Sequence, residues 1–399
     1  MQHSAPLPTQ SSVLEPIRHL YIHIPFCPSK CEYCAFVTHI GSLKLVPVYL
    51  ASLAGEANRL AENSRSGRLH TVYLGGGTPS MLRPDQIGSV LSHMRDCFGF
   101  APDCEITIEA HPLTVDQHHL SRYQAAGVTR ISFGAESMSD GELKRIGRRH
   151  TAAQVEQVVR FARKAGFASV ALDLMYGLPG QTIDSWRATL ERALALRVDH
   201  LSLYPLSIEP RTVFRRKLVR GQLALPDDEL VVEMYHEACA LLRLAGYEHY
   251  EVANWARPGK RCAHNMAYWM NHEVLAVGVG AHGYVKPYRT ENISHTKHYV
   301  DAISTGRSTV YHRDLIGPAI ELAETVVLGL RLLTDGVDLE QVGRRFGINA
   351  SALYQPEVAE LATRRLLHCS SGRLKLPEAA VPLANEVWER FVAPSLGVM

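Results

Sequence analysis

From His19 onward, short runs rich in β-branched and aromatic residues alternate with longer stretches whose apolar positions recur at helical spacing. Leu20–Ile24, Thr71–Leu74, Glu105–Ile108, Arg130–Phe133, Ser169–Leu172 and His200–Tyr204 read as strands. Between them, Val46–Ala61, Pro84–Arg95, Val115–Ala125, Ala152–Ala165 and Ile183–Ala195 read as amphipathic helices, the last announced by Thr182 and Asp184. Six strands separated by helices predict parallel βα units, in either a barrel-like or a doubly wound sheet. The polar residues suited to chemistry follow the strands: Cys27 after the first, Gly75–Thr78 after the second, then Glu109, Glu136 and Asp173. Barrel enzymes place their active sites at that end of the strands. The expected fold is therefore α/β, with a partial (β/α)6 barrel.

The rhythm changes after Glu209. Pro226–Ala245 predicts a helix, and a Gly- and aromatic-rich stretch runs from Gly246 to Tyr288. Pro318 stands where a first helical residue belongs, ahead of a helix over Ala319–Leu333. Asp338–Phe346 predicts another helix, Leu374–Leu376 a short β-like segment, and Val381–Phe391 a last helix. The expected organisation is a flexible N-terminus (1–17), the barrel (18–210), an accessory region (211–310) and a small, mostly helical, winged-helix-like C-terminal domain (311–399). A formal charge of +2 over 399 residues gives no electrostatic case for nucleic acid or an acidic membrane surface. No apolar run approaches a membrane span, and the polar start does not read as a secretory signal, so a cytoplasmic location is expected.

Of eight cysteines, three crowd into positions 27 to 34, while Cys97, Cys104, Cys239, Cys262 and Cys369 are dispersed. That distribution favours a metal site over a disulfide scaffold. The segment reads Tyr21-Ile22-His23-Ile24-Pro25-Phe26-Cys27-Pro28-Ser29-Lys30-Cys31-Glu32-Tyr33-Cys34-Ala35-Phe36. Pro25 and Pro28 keep the backbone out of a regular helix, so three thiolates can wrap one object. Three ligands leave one metal position open, whereas electron-transfer clusters and structural zinc sites are normally closed by a fourth. The alternative is a zinc loop completed by His23 or His39.

C-x3-C-x2-C directly after a first strand resembles the signature of the radical SAM superfamily. The resemblance implies a [4Fe–4S] cluster on Cys27, Cys31 and Cys34, with S-adenosylmethionine chelating the open iron and yielding a 5′-deoxyadenosyl radical on reduction. Gly75-Gly76-Gly77-Thr78-Pro79 resembles the superfamily's glycine motif. Ser132-Phe133-Gly134-Ala135-Glu136, Ile146-Gly147-Arg148 and Leu172-Asp173 narrow the resemblance to the branch holding oxygen-independent coproporphyrinogen III oxidase and the HemW-type haem chaperones. By that resemblance Tyr21, Tyr33, Gly76 and Glu109 contact the cluster-bound S-adenosylmethionine. Gly77, Thr78, Glu136, Arg148 and Asp173 match a second S-adenosylmethionine pocket. The branch usually has glutamine at Glu136, and a carboxylate cannot donate as an amide does.

Phe36 stands where the oxidase carries a further cysteine, and HemW-type proteins have an aromatic residue there. Tyr250-Glu251-Val252-Ala253-Asn254-Trp255, then Cys262-Ala263-His264-Asn265-Met266-Ala267-Tyr268-Trp269, resembles the HemW-type HNxxYW signature. Trp255 replaces a common phenylalanine, and Pro205 a common glutamine. The resemblance implies haem binding and delivery to a haemoprotein, an electron donor for the cluster, and peripheral association with membrane haemoproteins. Histidine and thiolate both ligate haem iron, and aromatic rings can wall a porphyrin. His264 or Cys262, with Tyr268 and Trp269, are therefore the candidate haem residues; packing of the accessory region is their other reading. Radical decarboxylation of coproporphyrinogen III and radical methyl transfer are the enzymatic alternatives.

Overall fold

The computed structural model describes residues 15–41 and 43–397. Of the expected flexible N-terminus, only Glu15 to Ile17 fall within that range; the rest lies outside the described residues. The six predicted strands are all present: β1 (Ile17–Ile24), β2 (Ser66–Gly76), β3 (Phe100–Ala110), β4 (Arg130–Glu136), β5 (Ser169–Tyr176) and β6 (His200–Pro205). β2 and β3 start well before the predicted runs. A register shift between Leu69 and Thr71 lets Leu69 pair with Phe100, which carries the ladder into more polar sequence.

The strands lie side by side in chain order, β1 to β6, each parallel to the next. A doubly wound sheet would need a reversal of that order. Without one, right-handed crossovers put the connecting helices on one face and curl the other inward. The sheet is thus barrel-like but open. The connecting helices are α1 (Val46–Asn63), α2 (Pro84–Phe98), α3 (Gln117–Ala125), α4 (Asp140–Arg145), α5 (Ala152–Ala165) and α6 (Ile183–Ala195). Local chemistry sets α5: Thr151 and Gln154 form a reciprocal capping box, and Gly166 ends the helix at φ +86°. Its Val155, Val158, Val159 and Ala162 are buried against the sheet. β5 is buried along nearly its whole length, as a parallel strand covered on both faces must be; Asp173 is one of its inward residues.

The stretch from Gly246 to Tyr288 supplies both edges of the same sheet. Strands β7 (Glu248–Glu251) and β8 (Asn254–Ala256) add antiparallel beyond β6, while β9 (Leu275–Val277) adds parallel beyond β1. Between them the helix Ala263–Trp269 turns under the sheet. The buried carboxylate of Glu56 on α1 ties this region down, accepting from Gly278 N–H (2.7 Å), Asn292 Nδ2 (2.7 Å), Tyr299 OH (2.5 Å) and Thr309 Oγ1 (2.6 Å).

At the C-terminus, the helices Pro318–Gly329 and Ala384–Leu396 close a second core around Val326, Tyr354, Leu374 and Phe391. A three-stranded sheet of Val337–Asp338, Arg373–Lys375 and His368–Ser370 flanks them. The predicted helix over Ala319–Leu333 stops at Gly329. The chain turns there because Arg331 O accepts from Val252 N–H (3.1 Å) and Leu333 N–H donates to Tyr250 O (3.0 Å), binding it to the barrel edge. The predicted last helix begins as a 3₁₀ turn over Glu378–Leu383, which contains Pro382. Among the described residues, no helix is long and apolar enough to cross a membrane.

Candidate functional site

The cysteine loop leaves β1 at Pro25 and is held from three sides. His39 N–H returns to Pro25 O (2.7 Å), and His23 Nε2 bonds Val37 O (2.9 Å). From the far side, Phe214 N–H donates to Glu32 O (3.0 Å), Lys217 pairs with Glu32 (2.5 Å), and Tyr33 lies against the Phe214 ring. The third support is the glycine turn after β2. A side chain on Gly77 would meet Pro25 O at 2.4 Å, and one on Gly76, at φ +108°, would meet the His23 ring at 2.5 Å. Glycine is required there so that the end of β2 can lie on the loop backbone.

A cavity of about 670 Å3 opens at this end of the barrel, within the range of small-molecule sites. It gathers on its walls Cys27, Cys31, Cys34, Tyr33, Gly76, Gly77, Thr78, Glu109, Glu136, Arg148 and Asp173. Cys27 Sγ lies 3.2 Å from Thr78 Oγ1, and Arg148 Nη1 donates to Cys31 Sγ at 3.6 Å. Arg148 also reaches Gly134 O and sits 3.5 Å from Glu136 Oε1. Glu136 holds φ +61° at an irregularity in the β4–β5 ladder, which turns its carboxylate toward that arginine. Tyr21 does not line the cavity: its hydroxyl meets His23 Nδ1 (3.2 Å) and its ring stacks on Tyr73.

Two half-buried carboxylates face the same space. Glu109 accepts from Tyr73 OH (2.8 Å) and from Gly76 N–H (3.2 Å). Burial outweighs these bonds and pushes its pKa up to about 7. Asp173 takes the Ser132 hydroxyl at 3.1 Å, and burial raises it to about 6. Burial likewise pushes the Cys27 thiol up to about 11. A thiolate there requires a metal cation to displace the proton.

The thiols fit a multi-iron cluster better than a single ion. Zinc–sulfur bonds of about 2.3 Å would draw tetrahedral ligand atoms to within about 4 Å of one another. Among the described residues, no group of three loop thiols, or of loop thiols with His23 or His39, has its ligand atoms within 4.8 Å. His23 is spent on Val37 and Tyr21, and His39 packs edge-on against Phe26. The buried Nε of Arg148, without a partner, adds an open donor beside Cys31.

The HNxxYW segment lies at the opposite end. Thr71 and Glu105, paired midway along β2 and β3 and below the glycine turn and Glu109, mark the floor of the lumen. Glu105 caps the helix Ala263–Trp269, accepting from Ala263 N–H (3.1 Å) and His264 N–H (3.0 Å). His264 is buried, with Nδ1 on Thr71 Oγ1 (2.7 Å), Nε2 on the Tyr268 hydroxyl (3.3 Å) and its ring stacked on Tyr73. Cys262 and Asn265 line the cavity from below; Cys262 Sγ faces Glu105 Oε1 at 3.6 Å. Trp269 points away, under the Arg331 guanidinium (4.1 Å), toward the C-terminal unit.

Sequence reading passed over Arg130, Ser202 and His200, which also line the cavity. Thr107 Oγ1 and His200 Nδ1 are buried there without partners. Their signal was available: an arginine opening an otherwise apolar strand must be buried against a polar network or a cavity.

An open parallel barrel with a three-cysteine loop and a glycine turn at its mouth defines a radical SAM protein. Accordingly, the family described as the radical SAM superfamily matches residues 21–193, and that described as the HemN C-terminal domain matches residues 319–383. The chain is 33% identical to the "Heme chaperone HemW" of Lactococcus lactis over 93% of its length and 96% of that protein. It is also 33% identical to that of Bacillus subtilis, over 94% and 99% respectively. The chain belongs to the HemW family of radical SAM proteins. A solved structure of coproporphyrinogen III oxidase (HemN) from Escherichia coli shares the fold, with a TM-score of 0.83 at 22% identity, over 95% of this chain and 91% of that one. Membership of the radical SAM superfamily implies a [4Fe–4S] cluster and S-adenosylmethionine.

Proposed function

We propose that this protein binds haem and hands it to apo-haemoproteins, with Cys27, Cys31 and Cys34 holding the cluster and S-adenosylmethionine lying in the cavity beside it. The observation that carries this reading is similarity over more than nine-tenths of the chain to relatives named heme chaperone HemW. Phe36, 69% exposed just beyond the loop, supports it, because the residue where the oxidase has its extra cysteine cannot donate a proton or hydrogen atom from sulfur. When bound, the cluster and S-adenosylmethionine supply one-electron radical chemistry.

The protein's own part is positioning. Gly76 and Gly77 bring backbone close to the ligand, and Glu109 offers a carboxylate to the N–H groups of its amino end. Thr78, Glu136, Arg148 and Asp173 line the space a second S-adenosylmethionine would take. Tyr21 acts from behind, through His23 and Tyr73. Of the candidate axial ligands, Cys262 faces the cavity, but burial and the Glu105 carboxylate push its thiol up to about 12. Burial pushes His264 down to about 3, so it is the neutral, ligating form at physiological pH. Iron reaching it must displace Tyr268. A haemoprotein recipient, an electron donor, a cytoplasmic location and transient contact with membrane haemoproteins complete the reading.

The test is anaerobic reconstitution of the cluster, spectral titration with haem, and assay of 5′-deoxyadenosine with coproporphyrinogen III. Stoichiometric haem binding with little cleavage is expected, and His264→Ala should shift the haem spectrum more than Cys262→Ser. Absence of haem binding with an intact cluster, or rapid decarboxylation of the porphyrinogen, overturns the proposal.

A further inference from the structure

Away from the barrel mouth, the helix Asp228–Leu244, the edge strand β7 and the turn Glu378–Leu383 of the C-terminal unit meet at one point. Each supplies one side chain there: Cys239, His249 and Glu378. Among the described residues this is the one group of three whose sulfur, ring-nitrogen and carboxylate ligand atoms all lie within 4.8 Å of one another. We propose that these residues form a second metal site, for a borderline divalent ion of the zinc type, clipping the C-terminal unit to the barrel.

The argument rests on which groups face which. His249 Nε2 lies 3.3 Å from Val252 O, an acceptor, so that nitrogen carries the hydrogen. Its Nδ1 then presents a lone pair, yet it lies 3.2 Å from Glu378 Oε2, a second acceptor. In that tautomer two acceptors face each other, and either a proton on Nδ1 or a metal cation between them resolves the contact; the nearby Cys239 sulfur supplies the third ligand that favours the metal. The ring is buried and stacked on Trp255 at 3.8 Å, so it cannot turn aside. Metal-ligating histidines typically donate their other N–H to a backbone carbonyl, as His249 does.

The remaining atoms fit the same role. Arg243 holds Glu378 Oε1, leaving Oε2 for the ion. Tyr235 OH donates to Glu378 O (2.9 Å) and lies against the Cys239 sulfur. Thiolate, imidazole and carboxylate together suit zinc, with a fourth position left for water on the side where Glu378 is partly exposed. Binding releases the Cys239 thiol proton to solvent.

The site is independent of the haem reading and is tested apart from it. Full-length protein with its iron–sulfur cluster assembled is equilibrated with zinc, freed of excess, and analysed for zinc per chain. About one zinc is expected. Cobalt added to the Cys27→Ser, Cys31→Ser, Cys34→Ser protein should give thiolate-to-cobalt absorption in the near ultraviolet. Cys239→Ser should abolish that absorption and weaken zinc binding by more than the roughly 10–100-fold that loss of an outer partner costs. Glu378→Gln, on the exposed side, should weaken binding even if Cys239→Ser fails to fold. Trace zinc on folded wild-type protein, unchanged binding in Cys239→Ser, or an imidazolium His249 paired with Glu378 in metal-free protein overturns the proposal.

Discussion

At the mouth of the barrel, the groups that face the cavity come from the later residues of β2 to β5 and from the loops that follow the strands, and several keep bonding capacity in reserve. Arg148 Nε has no partner, Cys27 has one light contact from Thr78 and Cys31 one from Arg148, and Cys34 faces only the backbone of Phe36. At the floor, the helix Ala263–Trp269 arrives from far along the chain and closes on Thr71 and Glu105, with both His264 nitrogens bonded. The mouth is arranged around something it is to receive; the floor is arranged around itself. The same substitution at each end should separate them most widely. Cys31→Ser should remove nearly all cluster iron and its visible absorption while the far-ultraviolet circular dichroism stays native. Cys262→Ser should keep the full iron content. Loss of the cluster in both variants would break the contrast.

A smaller effect tests the floor from the other side. Glu105 satisfies two N–H groups at the start of the helix Ala263–Trp269, N–H groups that a helix cannot bond internally. Glu105→Ala removes that cap and frees one exposed and one part-buried donor. The expected loss is about 0.5–2 kcal/mol, measured by chemical denaturation. Iron content after reconstitution should be unchanged. If stability holds and the cluster is lost, floor and mouth are coupled rather than independent.

What could be read from the chain alone divides along the same line. Cys27, Cys31 and Cys34, Gly75–Thr78 and the strands β1 to β6 are local patterns, and spacing of a few residues carries them. The segment holding Phe214 and Lys217, which buttresses the cysteine loop, gives no such signal, because its meaning lies in contact with Glu32 and Tyr33. Strands β7, β8 and β9, of three or four residues each, are too short for alternation to show. His264 reads as chemistry in the sequence because it sits among aromatics; its bond to Tyr268 is one helical turn away, but its bond to Thr71 depends on a chain reversal that no local pattern encodes. Phe36 was legible as a residue, and only the fold puts it, exposed, at the rim.

The finest test of the mouth is a proton. Glu109 titrates near 4.5 when unfolded and near 7 in the folded, ligand-free protein, chiefly because it is buried. Between those values the folded chain binds a proton that the unfolded chain has released. The contribution of Glu109 to stability is therefore full below about 4.5 and is lost as pH rises through 7, with a ceiling of about 3 kcal/mol. Buried histidines such as His264 titrate in the opposite sense, so the measured quantity is the difference between wild type and Glu109→Gln across this window. That difference should fall with rising pH and flatten above 8. Asp173→Asn should show a weaker change of the same sign, since Asp173 is raised only to about 6. An N–H donor of the ligand docked on Glu109 reverses the balance by favouring the carboxylate. Affinity for S-adenosylmethionine in the cluster-loaded protein should then rise between pH 6 and 8, and Glu109→Gln should abolish that rise. A pH-independent affinity in wild type would remove Glu109 from the ligand's reach and leave it, like the floor, bonded only to its neighbours.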